Sequence, residues 1–289
     1  MAGRVSTLDR ALASAAVRAG APGRIRFTRR QLYYEVCRGL LPLHRLPRRL
    51  RFTLPAPVGY DRFVAALDRH GPVPGLLDDP AGRTAVPGDD VPDLYDYGLP
   101  RLLVCQDAAI AGMLLANELH MESACPVFAE RDLPLDPRLT DALRRAGDAA
   151  VFVLHDASAA GYATVDAVRE WAGELRVHPL GLRPVHAAAL HLTTSSQKLT
   201  TSSQKLTTSS RNLTTGPRAT AADLDAPAGL EPWEVRRLRA GHTVEVAAVN
   251  PARLLRTVHR LVRGQSRTRR RSARLRQLQA AGFMTWPAA

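Results

Sequence analysis

The chain has 289 residues with 45% hydrophobic content, which excludes a disordered chain and suffices for one large or two ordinary domains with a core. Its formal net charge of +13 and pI of about 10.8 favour a polyanionic partner such as nucleic acid over an acidic small molecule. Three isolated cysteines without C-x-x-C spacing argue against a zinc site or a disulfide framework. Since no apolar run reaches the roughly 18 residues of a membrane span, we predict a cytoplasmic, nucleoid-associated protein that contacts no membrane.

The positive charge is concentrated at the two ends of the chain. Residues 1–58 hold twelve arginines against two acidic residues, and residues 251–289 hold ten arginines and no acidic residue, so the interval between them is net acidic. This distribution suits a protein that grips a phosphate backbone at its ends and keeps carboxylates for a metal between them. The alternative is a solvated charged surface with a basic tail.

The N-terminal region is predicted to hold three helices and an extended ribbon. The helices are expected over 7–19, 28–39 and 60–69, and a stretch rich in proline and arginine covers 42–57. Three short helices with such a ribbon are typical of a winged helix-turn-helix domain. We therefore predict a DNA-binding domain over 1–77, followed by a linker or wing over 78–98.

The second predicted helix sets tyrosines beside arginines. Thr28 is predicted to cap it, Leu32 and Val36 recur on an inward face, and Arg30 and Tyr34 share another face. A tyrosine so placed can attack a phosphodiester while the arginine holds the phosphate. The alternative is that both tyrosines of the pair are packing residues with hydrogen-bonded hydroxyls.

Strands and helices alternate from residue 99 onward, which predicts a parallel α/β domain over 99–262 with its ligands at the carboxyl ends of the strands. The predicted strands are 101–105, 126–129, 149–154 and 176–180, and the helices between and after them include 108–120, 139–146 and 162–172. A helix over 232–239, a strand over 243–249 and a helix over 251–262 are predicted to follow.

Acidic residues follow three of these predicted strands. Asp156 comes directly after the third strand, where a carboxylate could hold a divalent cation against a phosphate, although an aspartate at such a turn also serves as a helix cap. The first strand ends in Gln106-Asp107, and Glu130 follows the second.

Residues 192–215 are built from a repeated heptad. LTTSSQK occurs twice, LTTSSRN follows, and the only two lysines of the chain lie here. A segment this rich in serine and threonine, with one leucine per repeat, cannot bury a core, so we predict a flexible insertion created by duplication. The tail over 263–289 is predicted to be a basic, phosphate-contacting segment. The arginines predicted to contact DNA are Arg29, Arg38, Arg48, Arg49, Arg269, Arg270 and Arg271.

These features together resemble the A subunit of topoisomerase VI and its relatives, which include the meiotic enzyme that makes double-strand breaks. Arg30 and Tyr34 match the arginine and tyrosine of the family motif, and Asp156-Ala157-Ser158 stands where the family has Asp-x-Asp. Gln106 stands where the family has a glutamate. The resemblance covers roughly 7–186, with 245–261 as a trailing sheet edge and helix, and implies a winged-helix domain followed by a Toprim-like domain.

The resemblance also implies an activity and its partners. Tyr34 would form a 5′-phosphotyrosyl link to double-stranded DNA, Arg30 would clamp the phosphate, and Mg²⁺ would be held by Asp156 with Asp107 or Glu130 in place of the missing acids. It implies a homodimer in which the tyrosine of one subunit faces the metal of the other. Because the sequence contains no ATP-binding signature, an ATP-driven reaction would need a partner ATPase subunit.

Two other hypotheses remain open from the sequence. Since only one carboxylate of the family motif is kept, the chain could be a non-catalytic DNA-binding subunit with a degenerate Toprim domain in a DNA-processing or defence complex. An unrelated α/β enzyme for a small phosphorylated ligand is disfavoured, because no glycine-rich phosphate loop is present.

Overall fold

The structure of the protein, a computed structural model, describes residues 7–41, 43, 51–78, 99–195 and 229–263. The helices are α1 Thr7–Gly20, α2 Arg29–Leu40, α3 Tyr60–His70, α4 Ala108–Ala116, α5 Leu119–Ser123, α6 Pro137–Arg145, α7 Ala159–Ala172, α8 Pro184–Ala189, α9 Pro232–Arg239 and α10 over 251–263. The strands are β1 Arg101–Cys105, β2 Val127–Ala129, β3 Ala150–Leu154 and β4 Arg176–Pro179. None of the described helices combines the length and the apolar character needed to cross a bilayer.

The four strands form one parallel sheet in the order β2-β1-β3-β4, which confirms the predicted parallel α/β unit. Side chains alternate between its two faces: Leu103 and Phe152 belong to one apolar cluster, and Val104 and Val153 to the other. Burial on both faces explains why the strands read as continuous apolar runs. Because all four strands run in the same direction, their carboxyl ends share one edge.

The N-terminal helices share an apolar core with this sheet. Leu32 and Val36 of α2 share a continuous apolar cluster with Leu103 of β1 and Val258 of α10. The two predicted domains therefore have one core in common, and this common core holds α2 beside the sheet.

Helix α2 begins with a capping box, as the N-cap prediction required. The Thr28 hydroxyl accepts a hydrogen bond from the backbone N–H of Gln31 at 3.1 Å, and the Gln31 side-chain oxygen accepts one from the backbone N–H of Thr28 at 2.9 Å. Two of the backbone donors that a helix start leaves unpaired are thereby satisfied. These two hydrogen bonds fix the position of the first turn of α2, which carries Arg30.

Two predicted elements differ from the structure. The helix predicted over 108–120 is interrupted, because the Asn117 amide caps the Met113 carbonyl at 2.7 Å and Glu118 adopts a left-handed backbone with φ 58°. The strand predicted over 243–249 is wrong beyond its first two residues: Thr243 and Val244 form isolated bridges, and Val246–Ala248 is a 3₁₀ turn.

The prediction of a flexible insertion is wrong for its first four residues. Leu192 is 4% exposed, Thr193 forms a parallel bridge with Leu54, and Ser195 forms an antiparallel bridge with Thr243. The first copy of the heptad therefore begins inside the fold. The remainder of the repeat lies outside the described residues, as do residues 79–98 of the linker predicted over 78–98 and residues 264–289 of the tail predicted over 263–289.

Candidate functional site

The candidate site lies at the carboxyl edge of the sheet, where β1 and β3 end side by side. The backbone N–H of Gln106 donates to the Leu154 carbonyl at 2.9 Å, and the Gln106 side-chain oxygen accepts from the backbone N–H of Asp156 at 2.9 Å. Gln106 thus fastens the two strand ends together. Its oxygen serves as an acceptor here, and its amide group brings no negative charge to the edge.

Asp156 projects into this edge as a partly buried carboxylate. Its Oδ1 accepts a hydrogen bond from the backbone N–H of Val246 at 2.6 Å. Burial, together with the negative charges of Glu245 and Asp107, raises the pKa of Asp156 to about 7, although the Val246 bond and the positive charge of Arg30 act in the opposite sense. Four separate chain segments therefore meet around this carboxyl.

Asp107, the reserve metal ligand, caps helix α4. Its Oδ1 accepts from the backbone N–H of Ala109 at 2.8 Å. Burial raises the pKa of Asp107, as does the negative charge of Glu245, while Arg30 acts in the opposite sense. The two aspartates predicted from the sequence are thus brought into one electrostatic cluster.

Glu245 completes this cluster, although no functional role was predicted for it from the sequence. The backbone N–H of Ala157 donates to the Val244 carbonyl at 2.9 Å, and that of Val244 donates to the Ala157 carbonyl at 3.1 Å. This antiparallel bridge carries Glu245 beside Asp156. The only signal available beforehand was an isolated acidic residue after a short apolar segment, which is typical of many surface positions.

Arg30 spans the gap between α2 and this edge. Its Nε donates to Oε2 of Glu245 at 2.6 Å and its Nη2 to Oε1 at 2.5 Å, which makes a bidentate ion pair, and Nη2 also approaches the Ser195 hydroxyl at 3.3 Å. Burial lowers the pKa of Arg30, but the bond to Glu245 outweighs it, so the pKa rises above its ordinary value. The guanidinium also lies 4.6 Å from the ring centroid of Tyr60.

Tyr33 and Tyr34 have different environments although they are neighbours. The Tyr33 hydroxyl donates to the Val58 carbonyl at 2.8 Å. This agrees with the alternative that Tyr33 is a packing residue with a hydrogen-bonded hydroxyl. The Tyr34 hydroxyl is buried beside Ser195 and Glu245 without a hydrogen bond of good geometry to any described residue. Burial and the charge of Glu245 raise the pKa of Tyr34 above its ordinary value, so the phenol is protonated.

The structure does not bring every predicted site residue to this cluster. Glu130 accepts a hydrogen bond from the Thr164 hydroxyl at 2.8 Å and is bound to helix α7. Arg38 pairs with the buried Glu35 and donates to the Ala248 carbonyl at 2.6 Å, so its guanidinium holds the fold together, a different role from the predicted phosphate contact.

The other arginines predicted to contact DNA are placed less fully. Arg29 is partly buried at the start of α2. Those outside the described residues are Arg48, Arg49, Arg269, Arg270 and Arg271.

The carboxylates of the cluster offer Mg²⁺ only part of a coordination shell. Among the described residues there is no group of three or more His, Cys, Asp or Glu side chains that could hold a metal ion. Asp107 and Asp156 remain as two neighbouring carboxylates. Mg²⁺ is commonly bound by one or two carboxylates when phosphate oxygens and water complete its coordination shell. The residues therefore fit a cation shared with a phosphate rather than one caged by protein alone.

Comparison with protein-family models, curated proteins and solved structures finds no match to this chain.

Proposed function

We propose that the protein binds double-stranded DNA and that the cluster of Arg30, Tyr34, Asp107, Asp156 and Glu245 is a site for phosphodiester transesterification. The proposal rests on one observation: the arginine and tyrosine of α2 lie against the carboxylates at the sheet edge. A winged-helix domain followed by a Toprim-like domain is the finer fold assignment that accompanies it.

Each group has a role in the proposed reaction. The Tyr34 oxygen attacks phosphorus, an oxygen–phosphorus bond forms, and the bond to the 3′-oxygen breaks, leaving a 5′-phosphotyrosyl link and a 3′-hydroxyl that takes its proton from water. Arg30 turns from Glu245 to the phosphate. The Glu245 carboxylate, beside the Tyr34 hydroxyl, is then released to accept the phenolic proton.

Mg²⁺ would be held by Asp156 and Asp107, and when bound it would neutralise charge on the phosphate oxygens. Both carboxyls have a raised pKa, because each is buried near other negative charges. The repulsion between these carboxyls would be relieved if they held the cation. The two aspartates would then orient the phosphate toward α2.

The described conformation is closed to this reaction. Tyr34 is only 2% exposed, and Arg30 is neutralised by Glu245. A phosphodiester can enter only if α2 separates from the segment over 243–248. Tyr34 lies beside Glu245 of its own chain, so the proposed site forms within one subunit. The homodimer is proposed without the exchange of tyrosines between subunits that the resemblance implies.

The second candidate is a non-catalytic DNA-binding subunit. Two observations favour it: the ion pair with Glu245 occupies the Arg30 guanidinium, and the uncharged Gln106 stands at the sheet edge in place of a carboxylate. Affinity would then come from the arginine-rich ends and fall steeply with salt. Such a subunit would work beside an ATPase partner or within a nucleoid-associated complex. Replacing Arg269, Arg270 and Arg271 with glutamine should weaken binding to all sequences alike and reduce its salt dependence.

The decisive experiment is a search for a covalent adduct. The full chain is incubated with end-labelled duplex DNA and Mg²⁺ or Mn²⁺, then denatured and resolved by electrophoresis. We expect an adduct from the unmodified protein and from Tyr33→Phe, and none from Tyr34→Phe or Asp156→Asn. DNA binding measured in parallel should be equal in all four proteins.

The outcomes separate the two candidates. Loss of the adduct only in Tyr34→Phe and Asp156→Asn supports transesterification. DNA binding without an adduct from any protein supports the non-catalytic subunit. Absence of DNA binding in the unmodified protein would overturn both.

A further inference from the structure

A second concave region borders the Arg30–Glu245 cluster through His155 and Val246. It has a volume of about 1300 Å³ and is enclosed by α7, the loop after β4, α8 and α10. Much of its wall is apolar, with contributions from Leu180, Leu182, Val249, Leu254 and Leu261. A cavity of this size with an apolar wall and a few polar groups is where small ligands bind in proteins.

Two residues that line this cavity each carry a buried polar atom with no hydrogen-bond partner among the described residues. These atoms are the hydroxyl of Tyr162, a residue only 8% exposed, and Nε of Arg183. The two side chains are close enough to interact electrostatically. Buried donors without partners are rare and call for a specific explanation. An acceptor oxygen of a bound ligand would satisfy such a donor.

The charge of the cavity wall indicates that this oxygen is anionic. Five arginines line the cavity, against Asp166 as the single acidic residue among its described lining. Arg169 pairs with Asp166, and Arg183 pairs with the buried Glu234. Arg256 and Arg260, one turn apart on the exposed face of α10, have no acidic partner within the described part of the chain.

The histidines of the wall add little positive charge. Burial lowers the pKa of His155, and burial together with Arg183 lowers the pKa of His186. The His155 ring packs against Tyr162 with centroids 4.9 Å apart, and its Nδ1 lies 2.9 Å from the Asp156 carbonyl. This tilted ring contact holds the Tyr162 ring in place beside the cavity.

We propose that this cavity binds a nucleotide phosphate, with the phosphate oxygens on Tyr162, Arg183, Arg256 and Arg260 and the base against the apolar wall. A nucleotide combines the two features that the wall requires: an anion rich in acceptor oxygens and a flat, weakly polar body. The phosphate could belong to a free nucleotide or to the end of a nucleic-acid strand. The assignment does not depend on the transesterification site.

The test is a titration of the full chain by isothermal calorimetry with three probes: inorganic phosphate, dAMP and a short single strand of deoxyadenosine with a 5′-phosphate. Tyr162→Phe removes only the hydroxyl, and Arg256→Gln with Arg260→Gln removes two charges. Arg144→Gln, an exposed position on α6 paired with Asp141, is the matched control. We expect dAMP or the strand to bind more tightly than phosphate, and both test variants to weaken binding by about tenfold.

The stability of the free protein provides an independent measurement. Because the Tyr162 hydroxyl has no described partner, Tyr162→Phe should leave the melting temperature unchanged or raise it while still weakening binding. Binding of dAMP identifies a free nucleotide as the ligand, and binding of the strand alone identifies a strand end. The proposal is overturned if none of the probes binds, if phosphate binds as well as dAMP and the strand, or if Tyr162→Phe binds as the unmodified protein does.

Discussion

Asp156→Asn should stabilise the folded protein near neutral pH and above it. The carboxyl has a folded-state pKa of about 7 against an ordinary value of 3.8, because it is buried beside Glu245 and Asp107. The folded state therefore holds this proton more tightly than the unfolded state, and stability falls as the pH rises from about 4 to about 7. At about 1.4 kcal/mol per tenfold change in proton affinity, this cost approaches about 4 kcal/mol above pH 7.

Asparagine avoids that cost and keeps the local hydrogen bond, since its side-chain oxygen can still accept from the backbone N–H of Val246. Part of the charge is shared with neighbouring carboxyls, so we expect a gain of about 2–4 kcal/mol near pH 8 and almost none near pH 4. Urea unfolding of the unmodified protein and of Asp156→Asn between pH 4 and pH 8 measures this gain in stability. Glu130→Gln, which keeps its acceptor for Thr164, is the control.

Magnesium provides a second test of the same carboxyl. At a pH above 7 the cation should raise the unfolding free energy of the unmodified protein and leave Asp156→Asn unaffected, because only the charged cluster gains from a counter-ion. The reasoning is refuted if the difference between the two proteins does not change with pH, or if Asp156→Asn is the less stable protein throughout.

Three further predictions concern neighbouring parts of the fold. Glu245→Gln leaves Arg30 without its counter-charge and should cost about 1–3 kcal/mol in urea unfolding, while raising DNA affinity in fluorescence anisotropy. Tyr33→Phe should cost about 1 kcal/mol through its lost hydrogen bond, whereas Tyr34→Phe should be neutral or stabilising. Deleting 199–212 should leave the melting temperature unchanged, and a deletion that also removes the first heptad should lower it; equal effects would contradict the packing of that heptad.

Much of the secondary structure follows from local sequence. The Thr28 cap with Gln31 three residues later fixes the start of α2, and the short apolar runs become the strands of a parallel sheet. The ends of the strands can also be predicted from the sequence, so Asp107 and Asp156 could be assigned to one edge of the sheet without the structure. These features depend on neighbours within a few residues, which the sequence displays directly.

The contents of the site depend on contacts between distant segments. Glu245 reaches Asp156 only because Val244 pairs with Ala157, and no local pattern around Glu245 indicates this. Tyr33 and Tyr34 differ in environment because successive helical residues are rotated by about 100°. The Tyr33 hydroxyl donates to the Val58 carbonyl, whereas the Tyr34 hydroxyl lies beside Glu245.

The heptad repeat shows most directly what sequence alone determines. Its composition determined that a repeat is present and that it cannot form a core of its own. Residues 192–195 and 199–202 have the same letters, yet the first set is fixed by bridges from Thr193 to Leu54 and from Ser195 to Thr243. Only the tertiary structure decided this, because a β-bridge is defined by the partner strand as much as by the residues that join it.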